Sequence, residues 1–251
     1  MKVHLHIFFI SCFFLINLYG NDLYGNDMDQ DIIEIASIRF KVLQHGESNR
    51  RYIWIHGDEK TALLLLKRLK DKNNGTVFLI DNDKREVVIN SNMIDPNRIF
   101  SRAGAEKNLI KMNSNISRST IDKTLDMLDR DREIFFDRIK PPNRGLLLAL
   151  HNNLQGYSIH DEIAISNEVS LKNSEHPHHH NFYICTNRDD FNVLSKSPYN
   201  VVLQETPPAE DNGSLSCLAA RKGVRYINIE TRLGYLSVQT KMLQYIEDHI
   251  E

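Results

Sequence analysis

Tyr52-Ile53-Trp54-Ile55-His56-Gly57-Asp58-Glu59 sets an apolar run of strand length directly against a histidine and a glutamate three residues apart. Short apolar runs bounded by polar turns read as buried strands. The imidazole and the carboxylate therefore fall just past a strand's carboxyl end, one of them at the start of the helical pattern that follows. Both side chains are costly to bury alone, and both bind metal ions. A second histidine in the same kind of place, His151, follows the apolar run Leu146-Leu-Leu-Ala-Leu150.

Working outward, apolar runs recur at 52–55, 76–80, 87–89, 146–150, 182–186, 201–204 and 226–229, with helical periodicity at 59–70, 117–137, 189–194, 215–221 and 236–250. This alternation predicts an α/β fold with a mixed, mostly parallel central sheet flanked by helices on both faces. Ligands of such sheets gather at the carboxyl ends of the strands. His56, His151 and Glu230, the last in Tyr226-Ile-Asn-Ile-Glu230-Thr-Arg232, all lie at or just past the end of such a run. One sheet edge is thus expected to present all three.

The motifs come in the order His56-Gly-Asp-Glu59, Asp95-Pro-Asn97-Arg98-Ile-Phe100, His151, Glu230. This order over residues 50–235 resembles the zinc carboxypeptidase superfamily, near its succinylglutamate desuccinylase/aspartoacylase branch. Pro96 departs from that branch's pattern. The resemblance implies a Zn2+ ion held by His56, Glu59 and His151, with cobalt or manganese as other occupants of such ligands. It implies Glu230 as the group that handles the proton, and Asp95 as the acid that orients His56. Glu205, in Val201-Val-Leu-Gln-Glu205, is the rival for the Glu230 role. Arg98 with Asn97 is expected to hold a substrate carboxylate, because a guanidinium offers two parallel donors that match a carboxylate. Arg102, Arg232 and Tyr235 are candidates for two further roles near the reacting carbonyl, and no spacing selects among them.

The implied activity is hydrolysis of an amide next to a free carboxylate, either carboxypeptidase-like, with cell-wall peptides as one substrate class, or as an N-acyl-amino-acid deacylase. A reading of another class is a secreted zinc-binding module without catalysis. A peptide substrate predicts an open groove, and a small acyl-amino acid predicts a closed pocket.

The 251 residues, 41% of them hydrophobic, suffice for one large domain. A net charge of −2 without a cluster of Lys and Arg argues against a sequence-independent grip on nucleic acid. Residues 1–20, with Lys2 ahead of an apolar stretch at 7–18, read as a secretory signal, giving a secreted or periplasmic protein with no membrane partner unless the signal stays uncleaved. Residues 21–45 are expected to be a tether and lead-in, the first part carrying the repeat Leu18-Tyr-Gly-Asn-Asp22, Leu23-Tyr-Gly-Asn-Asp27, and 46–251 the catalytic domain. Cys185 and Cys217 read as two separate buried thiols. His176-Pro-His178-His179-His180 reads as a polar loop rather than a second metal site.

Overall fold

The apolar runs assemble into a nine-stranded mixed sheet, accompanied by a separate two-stranded ribbon, in a computed structural model that describes residues 31–69, 74–153, 156–172 and 178–251. The expected signal at 1–20, the repeat at 18–27 and His176 lie outside the described residues. No helix among the described residues is long and apolar enough to cross a membrane.

In chain order the strands are β1 (Ile32–Ile35), β2 (Ile38–His45), β3 (Arg50–Trp54), β4 (Gly75–Ile80), β5 (Val87–Ile89), β6 (Asn92–Ile94), β7 (Leu146–Asn153), β8 (Glu168–Ser170), β9 (Phe182–Cys185), β10 (Asn200–Leu203) and β11 (Tyr226–Arg232). The helices are α1 (Lys60–Leu69), α2 (Arg102–Met112), α3 (Arg118–Ile139), α4 (His160–Ile163), α5 (Arg188–Leu194), α6 (Leu215–Lys222) and α7 (Leu236–His249). The large sheet has the order β1-β2-β4-β3-β7-β11-β9-β10-β8. β4, β3, β7 and β11 run parallel, as do β9 and β10, while the remaining pairings are antiparallel.

Two expectations change. Residues 32–45, expected as part of a lead-in, form the β1-β2 hairpin, and β2 pairs with β4 from Phe40–Ile80 to His45–Gly75, so the sheet begins well before residue 46. Run 87–89 does not enter the main sheet but pairs with β6 in the ribbon. The hairpin's inward positions, Ile33, Ile35, Ile38 and Phe40, are buried, and Phe40 meets Phe135 of α3 at 5.0 Å between ring centroids. β1 is only four residues long and its outward positions are Ile32 and Glu34, so no clean alternation marks it in the sequence.

β7 sits at the centre, buried along its whole length. Its neighbours align residue by residue, Arg50–Leu146 through Ile53–Ala149 on one side and Tyr226–Leu147 through Arg232–Asn153 on the other. Leu148 is fully buried there. Leu148→Ala should lower unfolding stability by about 2–5 kcal/mol, measured by urea denaturation, because a central position leaves the void little room to collapse.

Candidate metal centre and cavity

The β3 strand hands directly to the His56-Glu59 turn, and Gly57 makes that turn possible. A Cβ on Gly57 would lie 2.3 Å from the Asn82 carbonyl oxygen, and its own N–H donates to the Lys84 carbonyl at 2.9 Å. The turn is thereby pressed against the loop that follows β4. Glu59 stands immediately ahead of α1, its carbonyl accepting from Trp54 Nε1 at 3.0 Å. The helix start is tied to the central strand, since Asn152 Oδ1 accepts from the Ala62 N–H at 2.8 Å. On the other strand end, Gln239 Nε2 of α7 donates to the His151 carbonyl at 2.9 Å.

These constraints bring three side chains together. His56 Nδ1 lies 2.8 Å from Glu59 Oε1 and 3.2 Å from His151 Nδ1, and Glu59 Oε2 lies 3.1 Å from His151 Nδ1. All three residues are buried, and among the described residues theirs is the one His/Cys/Asp/Glu group whose ligand atoms all fall within 4.8 Å of one another. Ligands at zinc's usual bond lengths of about 2.0–2.1 Å, set tetrahedrally, stand roughly 3.3 Å apart, so the spacing fits such an ion. Glu59 Oε2 is buried and, despite the nearby imidazole, receives no hydrogen bond among the described residues. His56 Nε2–H donates to Asp95 Oδ1 at 2.7 Å, which fixes the ring and turns Nδ1 toward the centre. The donor set and its orientation therefore fit a divalent metal.

The electrostatics point the same way. Burial alone would discharge His56, yet the Glu59 and Asp95 carboxylates outweigh it and raise the imidazole to about 9. Burial likewise opposes charge on Glu59 and Asp95, and the facing imidazoles overrule it, holding both carboxyls well below the usual range. Such a knot of charge away from water needs compensation.

Asp95, Asn97 and Arg98 come from one short 3-10 turn, Pro96–Arg98, which Asp95 caps by accepting from the Asn97 N–H at 2.8 Å. Proline at the first turn position supplies the φ that the turn requires. Asn97 Oδ1 accepts from the Leu215 N–H at 3.0 Å, seating the turn against the start of α6. Its amide NH2 donates to no partner among the described residues. Arg98 is half-buried and has no carboxylate within salt-bridge distance among the described residues.

Glu230 pairs in register with His151 on the neighbouring strand, so the two side chains emerge side by side on one face of the sheet. Asn228 Nδ2 donates to Glu230 Oε1 at 3.1 Å, and Asn153 Nδ2 approaches Oε2 at 3.5 Å. Burial pushes the Glu230 carboxyl up to about 7, His151 pulling it down and Glu59 adding to the rise. The rival Glu205 is exposed and paired with Arg188 at 3.1 Å, away from this cluster.

A cavity of about 570 Å3 joins these groups, lined among others by His56, Glu59, Arg98, His151 and Glu230. Tyr226, Asn228 and Glu230 occupy alternate positions of β11, as His151 and Asn153 do on β7, so the pleat itself aims them at one face. Several lining residues carry no motif: Arg85, which bonds Glu59 Oε1 at 3.0 Å, and Tyr157, Glu162 and Asn228. Polar residues at every second position of an otherwise apolar strand were the available signal for Asn228. Arg85, Tyr157 and Glu162 sit on loops and a single-turn helix, where no periodicity marks them. Arg102 instead pairs with Asp126 and Asp129 on α3, and Arg232 and Tyr235 are exposed; none of the three lines the cavity.

Cys185 and Cys217 are both buried free thiols. Of the histidine loop, His178 is exposed, His180 Nδ1–H donates to the Tyr157 carbonyl at 2.7 Å, and His179 packs on His160 at 4.5 Å between ring centroids. Among the described residues, His178, His179 and His180 form no group of convergent ligand atoms.

No family model matches the chain, and no curated protein matches it. Several solved structures are similar to it in fold. One is a succinylglutamate desuccinylase/aspartoacylase from Rhodobacter sphaeroides, at 12% identity and TM-score 0.42, covering 84% of this chain and 59% of that one. Another is an aspartoacylase family protein from Mesorhizobium loti, at 15% identity and TM-score 0.41, covering 84% and 61%. A third is the ectoine utilization protein of Ruegeria pomeroyi, at 13% identity and TM-score 0.40, covering 83% and 59%. The chain spans about three fifths of the length of these proteins. Any functional reading rests on the residues of the site.

Proposed function

We propose that this protein is a zinc-dependent hydrolase that cleaves an amide bond next to a free carboxylate, acting on a small acylated amino acid. The observation that carries the reading is the convergence of His56, Glu59 and His151 on one cavity wall with Glu230 beside them and Arg98 on the same cavity. Zinc bound there would supply Lewis acidity to the scissile carbonyl and acidify a water toward neutrality. Glu230, buried and raised toward neutral pH, is suited to accept a proton and hand it to the departing nitrogen. A purely metal-binding module has no use for that unligated carboxylate.

Arg98 and the Asn97 amide NH2 would hold the substrate carboxylate. Arg85, bonded to Glu59 at the cavity wall, has further donors that can face the carbonyl oxygen. A cavity of about 570 Å3 falls in the range of small-ligand sites, a size that suits a small acylated amino acid. Residues 1–20, read as a secretory signal, would send the enzyme out of the cytoplasm.

The test is a screen of zinc-loaded protein against Nα-acyl-amino acids and short peptides, cell-wall peptides included, each with its carboxylate free or amidated. Turnover that requires the free carboxylate is expected. Full metal occupancy without turnover of any member would sink the hydrolase reading. Arg98→Ala should raise KM for the free acid by roughly 10–100-fold, the loss of a charge-assisted hydrogen bond, while barely affecting the amidated analogue.

A further inference from the structure

One end of the cavity is lined by Tyr157, Glu162, Ile184, Tyr226, Asn228 and Glu230. Glu162 is buried, at 8% exposure, yet it comes from the single-turn helix α4 and belongs to no motif. It accepts from the Tyr157 hydroxyl and from Gln204 Nε2, the latter at 2.6 Å. Glu230 accepts from Asn228 and Asn153. Among the described residues, the hydrogen-bond partners of both carboxylates are thus neutral. Asn228 is 5% exposed, and its Oδ1 is buried with no hydrogen-bond partner among the described residues.

Two buried carboxylates and an orphaned amide oxygen on one cavity end make a surface of acceptors. A buried carboxylate without a cation is costly, and so is a buried acceptor without a donor. The group that relieves both is an alkylammonium, which has three donors and no acceptor. The surroundings suit its stem as well as its head. Ile184 offers an apolar contact for methylenes, and Tyr157 and Tyr226 line the cavity beside it. Arg98 and Asn97 line the same cavity as this acceptor-rich group, so one ligand can face both.

We propose that this end of the cavity is an ammonium subsite, with Glu162 as the counter-charge and Asn228 Oδ1 as a further acceptor, so that the preferred substrate is an acylated amino acid bearing an amine on its side chain. The substrate assignment rests on the hydrolase reading; the subsite itself does not.

Binding and turnover separate the two. Calorimetry on the zinc-loaded protein with free ornithine, its neutral isostere norleucine, and glutamate should show ornithine binding at least tenfold more tightly than either. In the isosteric variant Glu162→Gln the ornithine-to-norleucine ratio should fall toward one. Norleucine or glutamate binding as well as ornithine to the wild-type protein would overturn the subsite, whether or not the variant folds, and so would an unchanged ratio in a folded variant. Hydrolysis of the three Nα-acetyl derivatives completes the test. Turnover without an ornithine preference would overturn the subsite and leave the hydrolase standing. An ornithine preference in binding with no turnover of any derivative would do the reverse.

Discussion

Purified protein should carry about one zinc per chain, and the double variant Glu59→Ala, His151→Ala should carry none, read by elemental analysis after extensive dialysis. The size of the effect follows from the geometry. Removing two of three ligands leaves His56 alone, and a single imidazole cannot hold an ion against water at ordinary concentrations. The histidine loop is left intact in that variant, which makes the result diagnostic: equal metal in both proteins would move the ion to the loop and remove the basis of the hydrolase reading. Asp95→Asn gives a graded counterpart. Asparagine can still cap the turn as Asp95 does, but it loses the charge facing His56 Nε2, so zinc affinity should fall roughly 10–100-fold with the fold preserved.

How much of this was legible before any coordinates depends on where a residue sits. His56, Glu59, Asp95 and His151 adjoin apolar runs or occupy compact motifs, and the parallel strand order carries them to one place. The place of Glu230 was legible for the same reason: the register sets it beside His151, whereas Glu205 follows β10, which lies two places farther from β7. The cavity's other end was not legible. Tyr157 and Glu162 reach it from the segment after β7, and Gln204, which donates to Glu162, ends the run at 201–204 like any polar terminator. Contacts of that kind are set by tertiary packing, which no local spacing encodes. The β1-β2 hairpin escaped for another reason. Glu34, Arg39 and Lys41 interrupt its apolar residues, so no apolar run of strand length marks it although Ile33, Ile35, Ile38 and Phe40 are buried.

The same distinction bears on stability. Glu230, unlike His56 and Glu59, is held where its charge is not favoured, and such a placement is expected to cost the fold something. Burial raises Glu230 from its ordinary range to about 7. The linkage sign is fixed by that direction: the unfolded chain ionises Glu230 at lower pH than the folded chain does, so in the metal-free protein this group's contribution to stability falls as pH rises from the ordinary carboxylate range through about 7. Glu230→Gln cannot ionise and escapes the loss. Above pH 7 the metal-free variant should therefore be at least as stable as the wild type, by on the order of 1–3 kcal/mol, in chemical denaturation.

Its activity should go the other way. Glu230→Gln keeps the shape of the side chain and can keep a bond to Asn228, so zinc content and carboxylate binding should match wild type while kcat falls by roughly 10²–10⁴-fold, the usual worth of a positioned general base. The pH profile supplies an independent check. A base must be ionised to accept a proton, so wild-type kcat should drop as pH falls through the Glu230 pKa. That acid limb should lie at or below about 7, because a bound cation near His151 favours the ionised form. In the variant this limb should vanish along with most of the rate. A variant that retains wild-type kcat, or one that loses zinc together with activity, would remove Glu230 from the chemistry and leave the His56-Glu59-His151 centre without its proton acceptor.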